Sequence, residues 1–340
     1  MKLEVCLKKK LRDFSLDVEF SVCDEVFALF GASGCGKSMT LKCIAGIETP
    51  DEGRIVLNGR TLYDSERKIN LPPQLRRAGY LFQNYALFPN MTVAENILFA
   101  THGTPDEKIS RLRENLARFN LDGLEKVYPD KLSGGQAQRV AFARILSSHA
   151  EFLLLDEPLS ALDNFLRRRL EIELAEVFKF YGAAILVSHD GGEVFRLAKK
   201  VAVMNAGKIE AVGTAQEIFK RPPTLTAARL TGCRNISAAR KISDNQFFAE
   251  DWGLTLTAQK IPDDLRFAGI REDSLSTDAD ENNFSFEVVR VVEDIAAFDV
   301  FVRGEGVPLV WHVDKTQRKP AVGDEIFLRL PSEKIFLLNG

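Results

Sequence analysis

Long hydrophobic runs are absent from this chain. No segment of its 340 residues approaches the roughly 18 to 20 apolar residues that cross a bilayer as a helix. The N-terminus carries no signal-peptide core, so the expectation is a cytoplasmic chain. An excess of one charge is also absent: 45 basic residues face 48 acidic ones, which leaves no nucleic-acid footprint. The basic cluster Lys8, Lys9, Lys10 and Arg12 reads as a solvated edge rather than a lipid or DNA site. Cysteine is sparse. Cys6, Cys23, Cys35, Cys43 and Cys233 have neither metal-ligand spacing nor an even-numbered framework, and so read as reduced thiols. No heptad run is present, which excludes a long coiled coil. The length suggests about two domains, each able to bury a core.

What the chain does contain is a set of short polar motifs, each at the end of an apolar run. Gly31-Ala32-Ser33-Gly34-Cys35-Gly36-Lys37-Ser38 matches the full G-x-x-x-x-G-K-[ST] pattern that wraps a nucleotide's phosphates. It follows an expected strand, residues 25–30 (EVFALF), and precedes a helix expected over Lys37 to Ala45, with Met39 in its first turn. The glycines let backbone N–H groups converge on phosphates, Lys37 reaches the terminal two, and Ser38 offers a hydroxyl to Mg²⁺. Cys35 lies inside this loop. Nearby N–H groups and Lys37 could favour its thiolate, or it is an inert filler.

The apolar run 152–155 (FLLL) delivers Asp156 and Glu157 at its C-terminal end, where open parallel sheets bind ligands. Asp156 suits Mg²⁺, and Glu157 suits orienting and deprotonating an attacking water. Taken alone such a pair reads as a solvated turn; Pro158 and the following Ser160-Ala161-Leu162-Asp163 shift the reading. Leu132-Ser133-Gly134-Gly135-Gln136 precedes good helix formers through residue 146, with an apolar face at Val140, Ala143 and Ile145. Ser133, Gly134 and Gly135 then lie at a helix N-terminus, ready for an anion.

With these motifs in this order, residues 1 to about 231 resemble the nucleotide-binding subunit of an ABC transporter. The resemblance implies an α/β P-loop ABC-type domain with a helical subdomain over about residues 84–150, binding ATP and Mg²⁺. It implies that Gln83 senses Mg²⁺ and the attacking water, that Ser160 to Asp163 communicate across a dimer, and that His189 contacts the γ-phosphate. It also implies that Ser133, Gly134, Gly135 and Gln136 close over ATP held by the other subunit. The implied partners are a second copy of the chain, a membrane permease dimer and an extracytoplasmic substrate-binding protein, with the chain peripheral on the cytoplasmic face of the membrane. Ala137 departs from the family's usual polar residue, with little effect expected. Phe14, just before the alternating Leu16, Val18, Phe20 and Val22, is the candidate for stacking on adenine, or is core. The apolar Tyr85, Ala86, Leu87 and Phe88 suit a permease anchor or packing beneath the subdomain.

A long amphipathic helix is expected from Asp163 to Tyr181, with Leu166, Leu170, Leu174 and Val177 on one face and Gly182 as its cap. After residue 232 short β-rich runs take over, at 254–256, 284–292, 298–302, 309–313 and 326–330. Together with Gly269-Ile270-Arg271-Glu272-Asp273, these resemble the small all-β, OB-like barrel domain appended to many importer ATPases, expected here over 232–340 in a regulatory role. Trp252, Trp311 and His312 read as core or strand-face residues. The segments at 55–60, 71–73, 231–233 and 290–294 look most like molybdate-type oxyanion importers, with molybdate or tungstate as cargo. Sulfate, iron, polyamine and sugar importers are the alternatives. A repair ATPase would carry a coiled-coil insertion, a translation-type ATPase two cassettes, and kinases and GTPases lack LSGGQ.

Overall fold

The computed structural model describes every residue except Asp13, His149, Ala161, Leu162, Asp163, Ala279, Asp280 and Gly340, and only the backbone of Asn164, Phe165, Leu166 and Phe180. The chain divides into two compact units, Met1–Ala215 and Gln216–Gly340. The first is built on a sheet that contains eleven strands among the described residues. Five of them are parallel and adjacent: Lys200–Asn205, Val26–Gly31, Ala184–Ser188, Phe152–Asp156 and Ala78–Leu81. The strands at 26–31, 152–156 and 184–188 are nearly continuous apolar runs with almost every residue buried, as a sheet covered on both faces requires. Parallel register puts the C-terminal ends of four of them, Gly31, Leu81, Asp156 and Ser188, along one edge.

The other flank is antiparallel. Lys2–Lys10 pairs with Ser15–Cys23 and with Glu52–Leu57. In Ser15–Cys23 exposed and buried residues alternate strictly, with Leu16, Val18, Phe20 and Val22 inward, the period of a strand with one wet face.

The expected helices form. Lys37–Ala45 starts at the glycine-rich loop and ends on Gly46 at φ 79°, the left-handed cap that glycine supplies without strain. Asn164–Tyr181 buries Leu170, Leu174 and Val177, and the Gly182 N–H closes it on the Phe178 carbonyl at 2.8 Å. Between them Val93–Ala100, Pro105–Arg118 and Gly134–Ser147 pack around a shared core containing Ile97, Leu116, Val140 and Phe142. In the 85–88 loop, Tyr85 and Leu87 turn toward that core. Phe88 instead meets Phe99 edge to face at 4.8 Å, and Phe99 is 64% exposed.

Among the described residues the second unit is all-β apart from short helices. Its strands form a five-stranded and a four-stranded sheet that share one core, including Phe247, Trp252, Leu256, Phe286, Val300 and Trp311. Both tryptophans are thus core residues. His312 is exposed on the outer face of its strand, with Nδ1 3.0 Å from Asp299 Oδ1.

Candidate functional site

The edge where the parallel strands end gathers the motifs. At the first strand, Gly34 and Gly36 adopt φ 83° and 108°, values open to glycine and strained for other residues. Gly31 admits no side chain, because a Cβ there would lie 2.4 Å from the Met204 carbonyl oxygen. Ala32, Ser33 and Gly34 form an exposed rim. Beneath it the buried Lys37 ammonium donates to the Gly31 and Ala32 carbonyls at 2.7 and 2.9 Å, poised under a cradle that fits phosphate oxygens. Phe14 is half-buried and lies against Gly36 and Gly207, so its ring flanks the loop instead of filling the core. Met39 is half-buried in the first helical turn and packs on the main core.

Cys35 is a buried thiol. Burial pushes it up, outweighing the opposing pull of the Lys37 ammonium, so the thiol is the form this site favours.

Two clusters follow. In the first, Asp156 accepts from the Ser38 hydroxyl through Oδ1 at 2.7 Å and from the Tyr80 hydroxyl through Oδ2 at 3.0 Å. Hydroxyl and carboxylate oxygens are hard donors of the kind Mg²⁺ takes. Among the described residues no group of three or more His, Cys, Asp or Glu forms a metal cage. Tyr80 was not singled out in the sequence. Burial and the neighbouring Asp156 push its phenol up, so it stays a donor.

In the second cluster, Glu157 stands between two partners. Gln83 Nε2 donates to Oε2 at 3.4 Å, and His189 Nδ1 lies 3.1 Å from Oε1. A carboxylate held between an amide and an imidazole can orient a water and take its proton. Gln83, Glu157 and His189, spread over 106 residues of sequence, thus converge on one point.

Ser133, Gly134, Gly135 and Gln136 occupy a different element. Ser133 caps the helix Gly134–Ser147, its hydroxyl accepting the Gln136 N–H at 3.3 Å while Gln136 Oε1 accepts the Ser133 N–H at 2.8 Å. This reciprocal cap places Ser133, Gly134 and Gly135 at the helix N-terminus, where the sequence puts them. The buried Gln138 was missed by the sequence reading; its Nε2 donates to the Pro158 carbonyl, tying this helix to the turn after Glu157. In that turn the Ser160 hydroxyl donates to the Glu157 carbonyl at 3.0 Å. Asp163 lies outside the described residues.

A glycine-rich phosphate cradle, an Asp–Ser oxygen pair and a carboxylate at the ends of adjacent parallel strands define a nucleotide-binding P-loop cassette. The comparisons agree. Residues 11–160 match the model of the family described as ABC transporter. Over 219 residues, 63% of this chain, the sequence is 46% identical to the spermidine/putrescine import ATP-binding protein PotA of Acidothermus cellulolyticus, and this match spans 56% of that relative's length. Over 93% of this chain it is 34% identical to the Fe(3+) ions import ATP-binding protein FbpC 1 of Pectobacterium atrosepticum, covering 89% of that protein. The dimeric ATP-binding cassette MJ0796 in a post-hydrolysis state with ADP and Pi superposes with a TM-score of 0.54 at 25% identity, over 63% of this chain and 99% of that one. The chain belongs to the ABC transporter family, among its ATP-binding proteins. These matches lend no support to the molybdate-type reading of segments 55–60, 71–73, 231–233 and 290–294, since the relatives are named for polyamine and iron import. Such short strand and turn segments report the shared scaffold rather than the cargo.

Proposed function

We propose that this chain is the ATP-hydrolysing subunit of an importer and works as a homodimer on the cytoplasmic face of a membrane permease supplied by an extracytoplasmic binding protein. The observation that carries the reading is Glu157, held between Gln83 and His189 beside the phosphate cradle. In this reading residues 31–39 hold the phosphates, with Lys37 supplying positive charge and Phe14 flanking the base. Ser133, Gly134, Gly135 and Gln136 cap the nucleotide of the partner copy, and Asp163 belongs to the same interface. Ser38 and Asp156 hold Mg²⁺, with Gln83 nearby; when bound, the cation neutralises charge on the phosphate oxygens. Glu157 takes the proton of the attacking water at a carboxylate oxygen, while His189 and Gln83 keep that carboxylate aimed. No described helix is long and apolar enough to cross a membrane, which suits a subunit that borrows its membrane path.

The cargo we propose is a polyamine, supported by the 46% identity to PotA. Ferric iron is the second reading, because the match to FbpC 1 extends over 93% of the chain, tail included. Residues 232–340 are proposed as a regulatory domain, since every residue assigned to nucleotide chemistry precedes 190. Two measurements test these statements. Purified protein should hydrolyse Mg-ATP, and a preparation without hydrolysis sinks the motor reading. Cells lacking the gene should lose uptake of labelled spermidine and keep that of radioiron; the reverse pattern selects the iron reading.

A further inference from the structure

Behind the Glu157–His189 pair lies a small cavity of about 260 Å³, bordered by Glu157, Ser160, Arg167, His189 and Glu193. Glu193 lies in the first turn of the helix Gly191–Leu197 and is 3% exposed. Its Oε2 accepts the Ser188 hydroxyl at 2.7 Å, and its Oε1 is buried without a hydrogen-bond partner. An unpaired carboxylate oxygen in such a place is costly and calls for an explanation.

The partners of Glu193 frame His189. Ser188 immediately precedes the histidine, and its hydroxyl accepts the Asp190 N–H at 3.0 Å. Asp190 follows the histidine, and its Oδ1 accepts the Glu193 N–H at 3.0 Å. The residues on both sides of His189 are therefore tied to Glu193, Ser188 to its carboxyl group and Asp190 to its backbone N–H, and from between them the imidazole reaches Glu157 Oε1.

The acidic neighbours are unfavourable to a carboxylate, and Arg167 opposes them. Asp190 shares the turn, and Glu171 and Arg167 come from the helix Asn164–Tyr181. Arg167 pairs with Asp190 at 2.9 Å, and Arg196, on the same helix as Glu193, is taken by Glu171. Glu157 borders the cavity. The strand Val26–Gly31, which also packs against this helix, brings only apolar side chains and glycine. Burial pushes the Glu193 carboxyl up to about 7; the Ser188 hydroxyl pulls it down, and Asp190 and Glu171 add to the rise.

We propose that Glu193 is a positioning residue for hydrolysis: as a neutral acid it fixes, through Ser188, the backbone from which His189 holds Glu157. The inference rests on the reading of Glu157 as the base. With its proton on Oε1, facing the cavity, Glu193 keeps the Ser188 bond and adds no second negative charge beside Glu157. Its ionisation draws water into the cavity or Arg167 away from Asp190, and either displaces the 188–190 turn. The rate constant should therefore decline as pH rises through the ionisation of Glu193.

The test uses the full chain, with kcat and KM for Mg-ATP measured across about pH 6 to 9 and Tm recorded for each variant. E193M fills the volume but cannot accept a hydrogen bond. It should lower kcat about tenfold, the rate equivalent of one lost buried hydrogen bond, with KM for ATP and Tm retained. E193Q still accepts from Ser188 and cannot ionise, so it should recover most of that rate and lack the wild-type decline above neutrality. S188A should reproduce E193M, and the double variant should add nothing further. A wild-type kcat in E193M, a decline that persists in E193Q, or a loss of Tm that accounts for the loss of rate overturns the proposal. Absence of hydrolysis in the wild type removes the underlying function as well, so the two failures are distinguishable.

Discussion

Glu157 has φ 48°, a left-handed conformation that costs a non-glycine residue of order 1–3 kcal/mol and persists where the surroundings over-determine it. Its N–H donates to the Val187 carbonyl at 3.0 Å and its carbonyl accepts the Ser160 hydroxyl at 3.0 Å, so the turn is clamped from both sides. Replacing the carboxylate by an amide keeps these backbone bonds and removes the base. Glu157→Gln should bind nucleotide normally and hydrolyse it roughly 10²- to 10⁴-fold more slowly; single-turnover hydrolysis at the wild-type rate would remove Glu157 from that role. A second residue makes a pH-dependent contribution to stability. Glu193 rises from 4.5 to about 7 on folding, so the native state holds a proton that the unfolded chain releases. The resulting stabilisation is complete below about pH 4.5 and is lost as pH rises through about 7, an effect of about 3 kcal/mol. Urea unfolding of wild type and E193Q at pH 5.5 and pH 8.5, values chosen on about either side of that midpoint, should show the wild type losing more stability on the alkaline side; parallel behaviour would count against a buried neutral Glu193. Lys37 and Ser38 were legible as candidates in the glycine-rich pattern, Asp156 and Glu157 at the end of an apolar run, and His189 only through the family resemblance. Tyr80 and Glu193 were not. A tyrosine within AGYL reads as an ordinary strand residue when its partner lies 76 positions away, and a glutamate in a short helix reads as solvated.

At the level of elements, the helix that follows the phosphate cradle ends on Gly46 and is also bonded at that end by a side chain from elsewhere. Arg76 is fully buried and donates through Nη1 to the Cys43 and Ile44 carbonyls at 2.8 and 2.9 Å. Nε and Nη2 reach the Leu71 carbonyl and Asn70 Oδ1, each at 2.8 Å. A cation at a helix C-terminus meets the negative end of the helix dipole, and here it also satisfies carbonyls that the helix leaves orphaned. Arg76 immediately precedes the segment that carries Tyr80 and Gln83, so one side chain joins the cradle's helix to the edge strand Ala78–Leu81. Arg76→Met should destabilise the protein by about 3 kcal/mol, because several buried acceptors lose their donor together. Urea unfolding measures it, and a change below about 1 kcal/mol would show that water or another donor replaces the guanidinium. Periodicity made the long helix Asn164–Tyr181 and the alternating strand Ser15–Cys23 legible. Strand order in the sheet was not, since adjacency there joins residues far apart in sequence, such as Leu3 with Leu57, and no local pattern encodes it.

At the scale of the whole molecule, the Met1–Ala215 unit contains every residue assigned to nucleotide chemistry, yet the two elements proposed to bind phosphate differ in how they are built. The phosphate cradle has Lys37 beneath it and the Asp156 and Glu157 clusters beside it. The Ser133–Gln136 turn is capped on itself, and a side chain added at Gly134 would meet nothing within 4 Å, so this helix N-terminus presents an open face. A capped helix N-terminus with an open face is competent to receive phosphate oxygens from another molecule. In a two-fold dimer each nucleotide would lie between the cradle of one copy and the turn of the other. Lys37→Ala and Ser133→Arg should then each abolish hydrolysis alone. In mixed dimers one site carries both lesions and the other neither, so activity should return on mixing and peak at equal proportions. Hydrolysis measured against mixing ratio, with mixed dimers verified by differential tagging and pull-down, decides the point. A flat, inactive profile despite proven mixed dimers would place each complete site within a single chain and leave the Ser133 turn without its proposed role.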